Sequence, residues 1–323
     1  MKAILLNGFG GTEVLSNSEV PVPAISPTQV LVQVKSLSIN PVDVKTRAGK
    51  GIAGRIKDQL PAILGWDISG VVVEAGADVA AFKKGDEVFG MVAFPQLASA
   101  YAEFVASEAA DLALKPANIS HNEAAAGTLA ALTAWQALYV NAKIQPGQRV
   151  LIHAAAGGVG HYAVQIAKHL GAYVIGTSSA ENKDFVLSLG ADEHIDYKAQ
   201  PFEEVVSDLD FVLDTIGGEY IDRSLKVIKK GGTIISIPSG LNETVTEKAT
   251  ALGIKGYFIL VHPSAEDMAA VADLLEKGIV KSHVSKVFAF EDMAAAHQQI
   301  ESGRTVGKVV LELSRAVFGG YDR

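Results

Sequence analysis

Cysteine is absent from this chain of 323 residues. Its absence excludes disulfide bonds, a thiolate nucleophile and every zinc site built on cysteine. A chain without disulfides suits a reducing compartment, and we expect it to lie in the cytoplasm. Histidine does not replace cysteine as a ligand here. His161 and His169 stand about two helical turns apart, whereas helical metal pairs stand at i and i+4, so we expect both at the surface or an interface. No metal site is predicted.

Long apolar runs and clusters of positive charge are also missing. No stretch of about 20 apolar residues is free of charge and glycine, so no membrane span is predicted, and the apolar run at the N-terminus is too short for a signal peptide. The formal net charge is −8 without a lysine- or arginine-rich run, which disfavours nucleic-acid binding. A length of 323 residues exceeds what one core usually holds, so two domains are expected.

The first third of the chain is predicted to be rich in β-strands. Alternation of apolar and polar residues predicts a strand at Gln29–Ile39, and shorter patterns predict strands at 68–74, 87–91 and 101–105. Segments with glycine and proline separate them, which is typical of a barrel-like or irregular β domain.

Strands and helices alternate from about Ser120 onward. Ser120 and Glu123 form a capping box before an alanine-rich segment at 124–139, which Gly127 and Thr128 are expected to divide into two helices. Strands are then predicted at 150–153, 172–177, 193–197, 209–215, 232–237 and 254–259, with connecting helices at 159–170, 181–189, 219–228 and 244–251. This alternation predicts a doubly wound parallel sheet. Helices at 265–277 and 293–301, a strand at 308–313 and a loose tail at 317–323 complete the chain.

A glycine-rich turn, Ala154-Ala-Ala-Gly-Gly-Val-Gly160, joins the first of these parallel strands to its helix. Gly157 and Gly158 let the backbone approach a pyrophosphate, Gly160 lets the helix pack closely on the sheet, and the first N–H groups of the helix point at the phosphates. Ala155 occupies the place of the first glycine in the usual dinucleotide fingerprint. An ordinary tight strand–helix turn is the alternative interpretation.

Six segments in a fixed order carry a resemblance to a known family. They are Asn40-Pro-Val-Asp43, Pro61-Ala-Ile-Leu-Gly-Trp-Asp-Ile-Ser-Gly70, Gly85-Asp-Glu-Val88, the turn at 154–160, Leu189-Gly-Ala-Asp192 and Gly303-Arg-Thr-Val-Gly-Lys-Val-Val310. With them the chain resembles the medium-chain dehydrogenase/reductase superfamily, in its zinc-free quinone oxidoreductase branch, close to the enone and alkenal reductases. The resemblance implies a Rossmann nucleotide-binding domain, residues 124–264, inserted into a β-rich GroES-like substrate domain, residues 1–123 and 265–323. The active site would lie in the cleft between them.

The resemblance also implies that the reaction proceeds without zinc. Zinc members of the superfamily have a cysteine where Asn40 stands and a His-Glu pair where Trp66 and Asp67 stand. A zinc site of that type therefore lacks its ligands in this chain.

The expected cofactor is NADPH. An acid at the end of the second strand of the sheet would accept bonds from the ribose 2′-hydroxyl of NADH, but this strand ends without one. Ser178 and Ser179 can donate to phosphate oxygens and Lys183 adds positive charge, although Glu181 is close and Lys183 also suits the solvated face of a helix. The resemblance adds Tyr197 and Arg304 as contacts of the 2′-phosphate.

Asn40 and Lys45 are the catalytic candidates. Asn40 resembles the family residue that faces the nicotinamide or the substrate carbonyl, and its side-chain N–H could polarise a carbonyl oxygen, although an Asn-Pro turn also explains it. Lys45 stands where the enone reductases have lysine, and could bond the nicotinamide ribose or a developing enolate, or be an ordinary surface lysine. Asp43 is interpreted as a helix cap rather than a base, and Trp66 as a pocket or packing residue.

The remaining expected cofactor contacts also follow from the resemblance. They are Asn40, Thr128, Ala156, Gly157, Gly158, Val159, Thr177, Ile216, Ser239, Gly240 and Phe258. Thr128 equally suits a helix cap, and Phe258 equally suits the core. His153, on the strand before the glycine turn, is interpreted as a core histidine with its hydrogen bonds satisfied.

The leading hypothesis is an NADPH-dependent reductase of quinones or α,β-unsaturated carbonyls, with hydride transferred to an enone β-carbon or to the quinone ring. No residue stands out as proton donor. The alternatives are an enoyl-thioester reductase of the same superfamily and an NADPH-binding protein with little turnover. Partners are a small-molecule substrate and a second copy of the chain, since family members are commonly dimers, with the strand at 254–259 as the candidate edge.

Overall fold

The structure is a computed structural model that describes residues 1–313, so the predicted tail at 317–323 lies outside the described residues. The strands within these residues are β1 (Lys2–Leu6), β2 (Leu15–Glu19), β3 (Gln29–Ile39), β4 (Ala62–Ile63), β5 (Asp67–Ala75), β6 (Glu87–Met91), β7 (Phe104–Glu108), β8 (Leu112–Leu114), β9 (Arg149–Ile152), β10 (Tyr173–Ser178), β11 (Glu193–Asp196), β12 (Leu209–Asp214), β13 (Ile228–Ser236), β14 (Lys255–Phe258), β15 (Val284–Ala289) and β16 (Lys308–Glu312).

The α-helices are α1 (Pro41–Arg47), α2 (Ala53–Ile56), α3 (His121–Ala126), α4 (Leu129–Trp135), α5 (Gly158–His169), α6 (Lys183–Ser188), α7 (Glu219–Leu225), α8 (Val245–Ala251), α9 (Ala265–Glu276) and α10 (Met293–Glu301). A π-helical turn, Gln136–Asn141, continues α4, and the predicted break at Gly127 and Thr128 separates α3 from α4. No helix in residues 1–313 is both long and apolar enough to cross a bilayer.

A parallel sheet in the order β11-β10-β9-β12-β13-β14 carries the glycine-rich turn. Its inner strands are apolar on both faces because helices cover both, so Val150, Leu151 and Ile152 of β9 are all fully buried. From β9 the strands β10 and β11 are added on one side and β12, β13 and β14 on the other, so the strand order reverses between β9 and β12. Open parallel sheets bind ligands beyond the carboxyl ends of the strands at such a point.

A largely antiparallel sheet in the order β15-β16-β3-β5-β6-β8, with β7 also paired to β3, joins the two ends of the chain. Along β3 the side chains of Val30, Val32 and Val34 are buried and those of Gln33 and Lys35 half-buried, as the alternation predicts. Leu31 and residues 36–39 are buried as well, so the strand is covered more completely than expected. Because β16 comes from the C-terminal segment and pairs with β3, the parallel sheet is an insertion between two parts of a β-rich unit. The predicted fold class is confirmed.

Several predicted elements have the wrong bounds, among them the strand expected at 232–237, which already begins at Ile228. The strand expected at 101–105 begins only at Phe104, because Ala102 forms a bridge to Ala3 of β1 before the chain reaches β3. The helix expected at 219–228 ends at Leu225, and Ile228 already pairs with Leu209 as the first residue of β13. The local pattern placed the strand three residues too early and extended the helix three residues too far, and pairing with another strand overrides it in both places.

We retain the division at residues 123/124 and 264/265 as a proposal. The helix α3, which crosses the first point, packs against β3 and β5. The helix α9, which follows the second, packs against α4 and β8. Both junctions therefore lie where the two units contact each other.

Candidate active site

A cavity of about 340 Å³ lies beyond the carboxyl ends of β9 and β12. Its wall combines the connection from β3 to α1, the glycine-rich turn, the segment after β14 and the loop before β16. Predicted site residues that line it are Asn40, Lys45, Gly157, Gly158, Val159 and Ser239. The fold thus brings residues from both units to one cleft.

The glycine-rich turn leads straight into α5. Gly157 is the N-cap residue of this helix and no side chain caps it, so backbone N–H groups at the helix start face the cavity. A Cβ on Gly160 would lie 2.1 Å from the carbonyl oxygen of Ala154, which is why only glycine fits there. The turn has the open backbone that a pyrophosphate needs.

Ala155 fits in place of the usual first glycine because the neighbouring strand has a glycine, Gly176, opposite its methyl group. Its methyl group lies 2.8 Å from the position that a Cβ on Gly176 would occupy. Gly176 lies within β10 and has no side chain to meet that methyl. The space that a glycine at residue 155 would leave is therefore provided by Gly176 of the adjacent strand.

Asn40 lies at the start of α1 and is almost fully buried at the cavity wall. Its backbone N–H donates to Oδ2 of Asp43 at 2.8 Å, so Asp43 caps the helix, as predicted. The side-chain Nδ2 donates to Oδ2 of Asp67 at 2.7 Å, and Oδ1 accepts a hydrogen bond from Lys308 Nζ. Asn40 therefore both begins the helix after an Asn-Pro turn and lies at the cavity wall.

Asp67 and Lys308 are the residues that the sequence reasoning missed. Both are buried, with Lys308 Nζ 3.8 Å from Asp67 Oδ2. A signal was present in each case. Asp67 follows Trp66 in the family segment at 61–70, and Lys308 is a charged residue directly before two valines in β16. Charged side chains are almost never fully buried unless they are paired.

Burial sets the ionisation of this cluster. It raises the pKa of Asp43 to about 7; the bond from Tyr101 Oη to Asp43 Oδ1, at 2.8 Å, opposes that rise, and the nearby Asp67 carboxylate reinforces it. Burial lowers the pKa of Lys308, against the influence of the Asp67 and Asp43 carboxylates. The cluster is thus a set of buried charges that depend on one another.

Of the two histidines expected at the surface or an interface, His169 is exposed, whereas His161 is not at the surface but lies against the C-terminal segment. It is fully buried because α5 is packed between the parallel sheet and the C-terminal segment. Burial lowers the pKa of His161 to about 4, so the ring is neutral at neutral pH. Nδ1 then donates to the Gly157 carbonyl oxygen at 2.9 Å, and Nε2 accepts from the His283 N–H at 3.3 Å. The ring supports the glycine-rich turn from behind.

Four of the five expected 2′-phosphate contacts, Ser178, Ser179, Lys183 and Tyr197, lie at or just after the ends of β10 and β11. Ser178 and Ser179 are largely buried there, and Ser178 Oγ lies 2.7 Å from Nε2 of His194, a residue that the sequence reasoning missed. Lys183 begins α6 and lies close enough for its charge to lower the pKa of His194, after the larger effect of burial. Tyr197 is about half exposed. Arg304 is exposed on the loop before β16, between two residues that line the cavity.

The other predicted contacts stand outside the cavity wall. Thr128 is buried and donates to the Ala125 carbonyl at 2.8 Å, while Leu129 and Thr133 reach the cavity instead. Thr128 is the N-cap residue of α4, as the alternative expected, but its own side chain makes no cap bond, and the Leu129 N–H donates to Asp67 Oδ1 instead. Ala156 accepts a bond from the Gly307 N–H at 2.8 Å, which docks the C-terminal segment on the turn.

Four further predicted contacts border the cavity without lining it. Thr177 Oγ1 accepts from the Ala154 N–H at 3.3 Å and so braces the turn. Ile216 donates its N–H to Asp214 Oδ1 at 3.0 Å, beside Thr215, which does line the cavity. Gly240 follows Ser239 in a turn with φ at +82°. Phe258 ends β14 and is 38 % exposed.

The chain matches two family models and many known proteins. The model described as "Alcohol dehydrogenase GroES-like domain" matches residues 26–137, and the one described as "Zinc-binding dehydrogenase" matches residues 189–311. The 2-methylene-furan-3-one reductase of Solanum lycopersicum is 35 % identical over 322 residues, covering 96 % of this chain and 79 % of the relative. The chain belongs to the medium-chain dehydrogenase/reductase superfamily.

Two further relatives of this superfamily bear on the activity. The chloroplastic NADPH-dependent alkenal/one oxidoreductase of Arabidopsis thaliana is 35 % identical over 321 residues, covering 96 % of this chain and 79 % of the relative. The structure of the quinone oxidoreductase from Coxiella burnetii superposes with a TM-score of 0.93 at 36 % identity, covering 97 % of this chain and 99 % of that one. The protein is an oxidoreductase, and its relatives support a nicotinamide cofactor.

Trp66 packs behind the cavity of this superfamily member instead of lining it. Its indole N–H donates to the Gln96 carbonyl at 2.7 Å, and its ring meets Phe94 edge to face with centroids 5.4 Å apart. Phe94 in turn lines the cavity. His153, as expected, is a core histidine: its Nε2 lies 2.9 Å from Ser224 Oγ and its Nδ1 3.2 Å from Thr177 Oγ1.

Proposed function

We propose that the protein is an NADPH-dependent reductase of quinones or α,β-unsaturated carbonyls that works without zinc. One observation carries the proposal: the glycine-rich turn at the switch point of the parallel sheet lines the same cavity as Asn40 and Lys45. A dinucleotide held at the start of α5 would place its nicotinamide end toward those two polar groups. The names of the Arabidopsis and Coxiella relatives support this class of substrate.

The cofactor would supply the hydride, and the protein supplies orientation and a suitable environment. The N-terminal turn of α5 would hold the pyrophosphate. Leu129, Ile259 and Val261 give the cavity apolar walls that exclude water. Asn40 presents a side-chain amide and Lys45 an ammonium on the same wall, where negative charge on a carbonyl oxygen would be stabilised as it develops. Solvent supplies the proton in this proposal.

The preference for NADPH rests on the ends of β10 and β11. Ser178, Ser179 and His194 offer hydrogen-bond donors, and Lys183 offers positive charge. Glu181, the nearby acid, lies 3.5 Å from the Lys198 ammonium, which offsets its charge. The 2′-phosphate of NADPH would therefore meet hydrogen-bond donors and positive charge. The 2′-hydroxyl of NADH would meet serines, and no acid, at positions 178 and 179.

Independence from zinc rests on the residues in the places of zinc ligands. Asn40 offers its amide oxygen to Lys308, so that oxygen already contacts a cation. Trp66 is bonded to Gln96, and Asp67 is bonded to Asn40 and Ser38. No group of three or more histidine, aspartate or glutamate side chains in the described part of the chain is arranged to hold a metal.

The association state and the location are further proposals. β14 is the edge strand of the parallel sheet; Phe258 within it is exposed, as are Leu252 and Leu260 just before and after it in the chain. These features favour a homodimer formed through this edge. The absence of cysteine favours the cytoplasm.

The proposal is tested by NADPH oxidation with phenanthrenequinone and with a short-chain enone, and with NADH as the comparison. We expect turnover with at least one acceptor and a clear preference for NADPH. Lys45→Met should lower kcat, whereas Lys50→Met, at an exposed lysine just after α1 and outside the cavity wall, should not. Tight binding of NADPH without turnover of either acceptor would instead support the binding protein, and turnover of an enoyl thioester alone the enoyl-thioester reductase.

A further inference from the structure

Lys308 is a fully buried lysine whose ammonium group has three neighbours. It donates to the Ile39 carbonyl at 3.1 Å and to Asn40 Oδ1, and it lies 3.8 Å from Asp67 Oδ2. Only 2 % of the residue is exposed. A charge in this position is costly unless its partners compensate for the lost hydration, so the pair requires an explanation.

Asp67, the counter-charge, is also buried and is fully bonded. Its Oδ2 accepts from Ser38 Oγ at 2.8 Å and from Asn40 Nδ2 at 2.7 Å, and its Oδ1 accepts from the Leu129 N–H at 3.1 Å. The carboxylate thus connects β3, β5 and the start of α4 beneath the cavity. Its position is fixed from three sides.

The two charges determine which way the Asn40 amide points. An ammonium only donates and a carboxylate only accepts, so Oδ1 must face Lys308 and Nδ2 must face Asp67. Because Lys308 and Asp67 are themselves close together, Asp67 takes the N–H on the same edge as Oδ1. The second N–H of Nδ2 lies on the opposite edge of the amide, away from the ion pair.

We propose that Lys308 and Asp67 are positioning residues that lock the Asn40 amide, so that its second N–H is presented to the substrate oxygen in the cavity. This inference rests on the proposed function and deepens it. Neither charge needs to touch substrate for this purpose. Removal of either one allows the amide to rotate and to turn its oxygen toward the substrate oxygen, which would repel developing negative charge.

The lock is also connected to the cofactor turn. The Lys308 Cδ lies 3.6 Å from where a Cβ on Gly158 would stand, and the Gly307 N–H donates to the Ala156 carbonyl. The strand that carries Lys308 is therefore docked on the turn that would hold the pyrophosphate. Lys308 therefore contacts both Asn40 and the glycine-rich turn, and it fixes the position of Asn40 relative to the proposed cofactor site.

The first experiment compares Lys308→Met with wild type in the reductase assay. Methionine keeps an unbranched apolar stem and removes the charge. Loss of one well-placed donor to an oxyanion costs on the order of 100-fold in kcat, and a merely mobile donor should cost about 10-fold or more. The KM for NADPH should change by about twofold or less, because methionine keeps the apolar stem that packs beside Gly158 of the turn. The neutral pair Asp67→Asn with Lys308→Met, which leaves no buried charge unpaired, should fold and show the same loss.

A double-mutant cycle separates positioning from a general structural role. Asn40→Ala removes the group that the lock acts on. If Lys308 acts through Asn40, adding Lys308→Met to Asn40→Ala should lower kcat no further. An equal fall in kcat in both backgrounds would overturn the proposal.

A third measurement does not depend on turnover. In full-length protein labelled with ¹⁵N-asparagine, the side-chain signal lost in Asn40→Ala identifies Asn40. We expect one of its two amide protons to exchange slowly with deuterated solvent in wild type and rapidly in Lys308→Met. Rapid exchange of both protons in wild type overturns the lock. Slow exchange in a protein that reduces no acceptor supports the lock and rejects the proposed function, so the two failures are distinguishable.

Discussion

The absence of a side chain at Gly176 leaves room for the methyl group of Ala155 in the dinucleotide turn. This relation can be tested by adding a methyl group at residue 176 and removing the one at residue 155. In Gly176→Ala the new Cβ would lie 2.8 Å from the Ala155 Cβ and 2.7 Å from Val186 Cγ1. Both distances are shorter than real contacts of this kind, and the neighbours belong to a closely packed layer. Overpacking of this extent typically costs about 1–3 kcal/mol. The midpoint of denaturant unfolding should fall accordingly.

The compensating change is Ala155→Gly, which removes the methyl group on one side of the clash. Alone it should destabilise the fold by about 1 kcal/mol, through a lost buried methyl and a more flexible unfolded chain. Combined with Gly176→Ala it should recover part of the loss, so that the two effects are less than additive by about 0.5 kcal/mol or more. Recovery is incomplete because Val186 still meets the new methyl.

Gly54→Ala is the matched control, since nothing lies within 4 Å of the position of its Cβ and the residue lies inside the short helix α2. It should leave stability unchanged or raise it by about 0.5–1 kcal/mol. The reasoning is refuted if Gly176→Ala unfolds at the wild-type midpoint, or if its effect and that of Ala155→Gly add in full. Denaturant titration followed by circular dichroism is sufficient to decide.

Three shorter predictions concern charge, cofactor and assembly. Because the native pKa of Asp43 is about 7, above its ordinary value of 3.8, its contribution to stability is present in full at low pH and declines as pH rises from about 4 to about 7. By about 1.4 kcal/mol per pKa unit this amounts to about 4 kcal/mol, and the difference in unfolding free energy between wild type and Asp43→Asn should show it. Ser178→Asp should lower kcat/KM for NADPH by about tenfold or more and raise it for NADH, because a carboxylate there repels the 2′-phosphate; equal losses with both cofactors would contradict the assignment. Leu252→Asp, beside the edge strand, should convert a dimer into a monomer in light scattering, and a wild-type monomer would reject that edge.

The comparison between wild type and Asp43→Asn matters because buried histidines act in the opposite direction. Burial lowers the pKa of His153 and His161 to about 4 and that of His297 to about 3. Their contribution is present above their ordinary value of 6.5 and is lost as pH falls through the lowered native values. The raw pH profile therefore combines two slopes of opposite sign. The difference between the two proteins isolates Asp43, since the histidines are common to both.

Local pattern was sufficient to predict most of the fold. The inner parallel strands were predictable because they contain short apolar runs bounded by turns, and α5 has a clear helical period. The errors came where a partner far along the chain decides the outcome: Ala102 is held by Ala3, and Ile228 by Leu209. The burial of His161 was missed for the same reason, because the segment that covers it comes from the other end of the chain.

The candidate site shows the same division between near and distant residues. The glycine-rich turn was predictable because its residues are consecutive, and Asn40 and Lys45 because the family pattern around them is intact. The Asn40–Asp67–Lys308 cluster was not, since its members lie in three separate segments and no local period signals a buried charge. A lysine directly before an apolar run in a strand, and a carboxylate next to a buried tryptophan, are the traces that such a cluster leaves in a sequence.

The cluster also bears on how a site can operate where a zinc-ligand pattern has been replaced. A metal would polarise a carbonyl by direct contact, whereas here the nearest buried cation is Lys308, and its ammonium is bonded to Asn40 and Ile39. In the proposed arrangement the substrate oxygen meets a neutral N–H of Asn40, whose direction is set by Lys308 and Asp67. A neutral donor stabilises a fully charged alkoxide less than a metal does. It is adequate for a substrate whose negative charge is delocalised over an enolate or a hydroquinone. On this argument the cluster favours conjugated acceptors over simple aldehydes and ketones, and a saturated ketone of matched size should be reduced far more slowly than the corresponding enone.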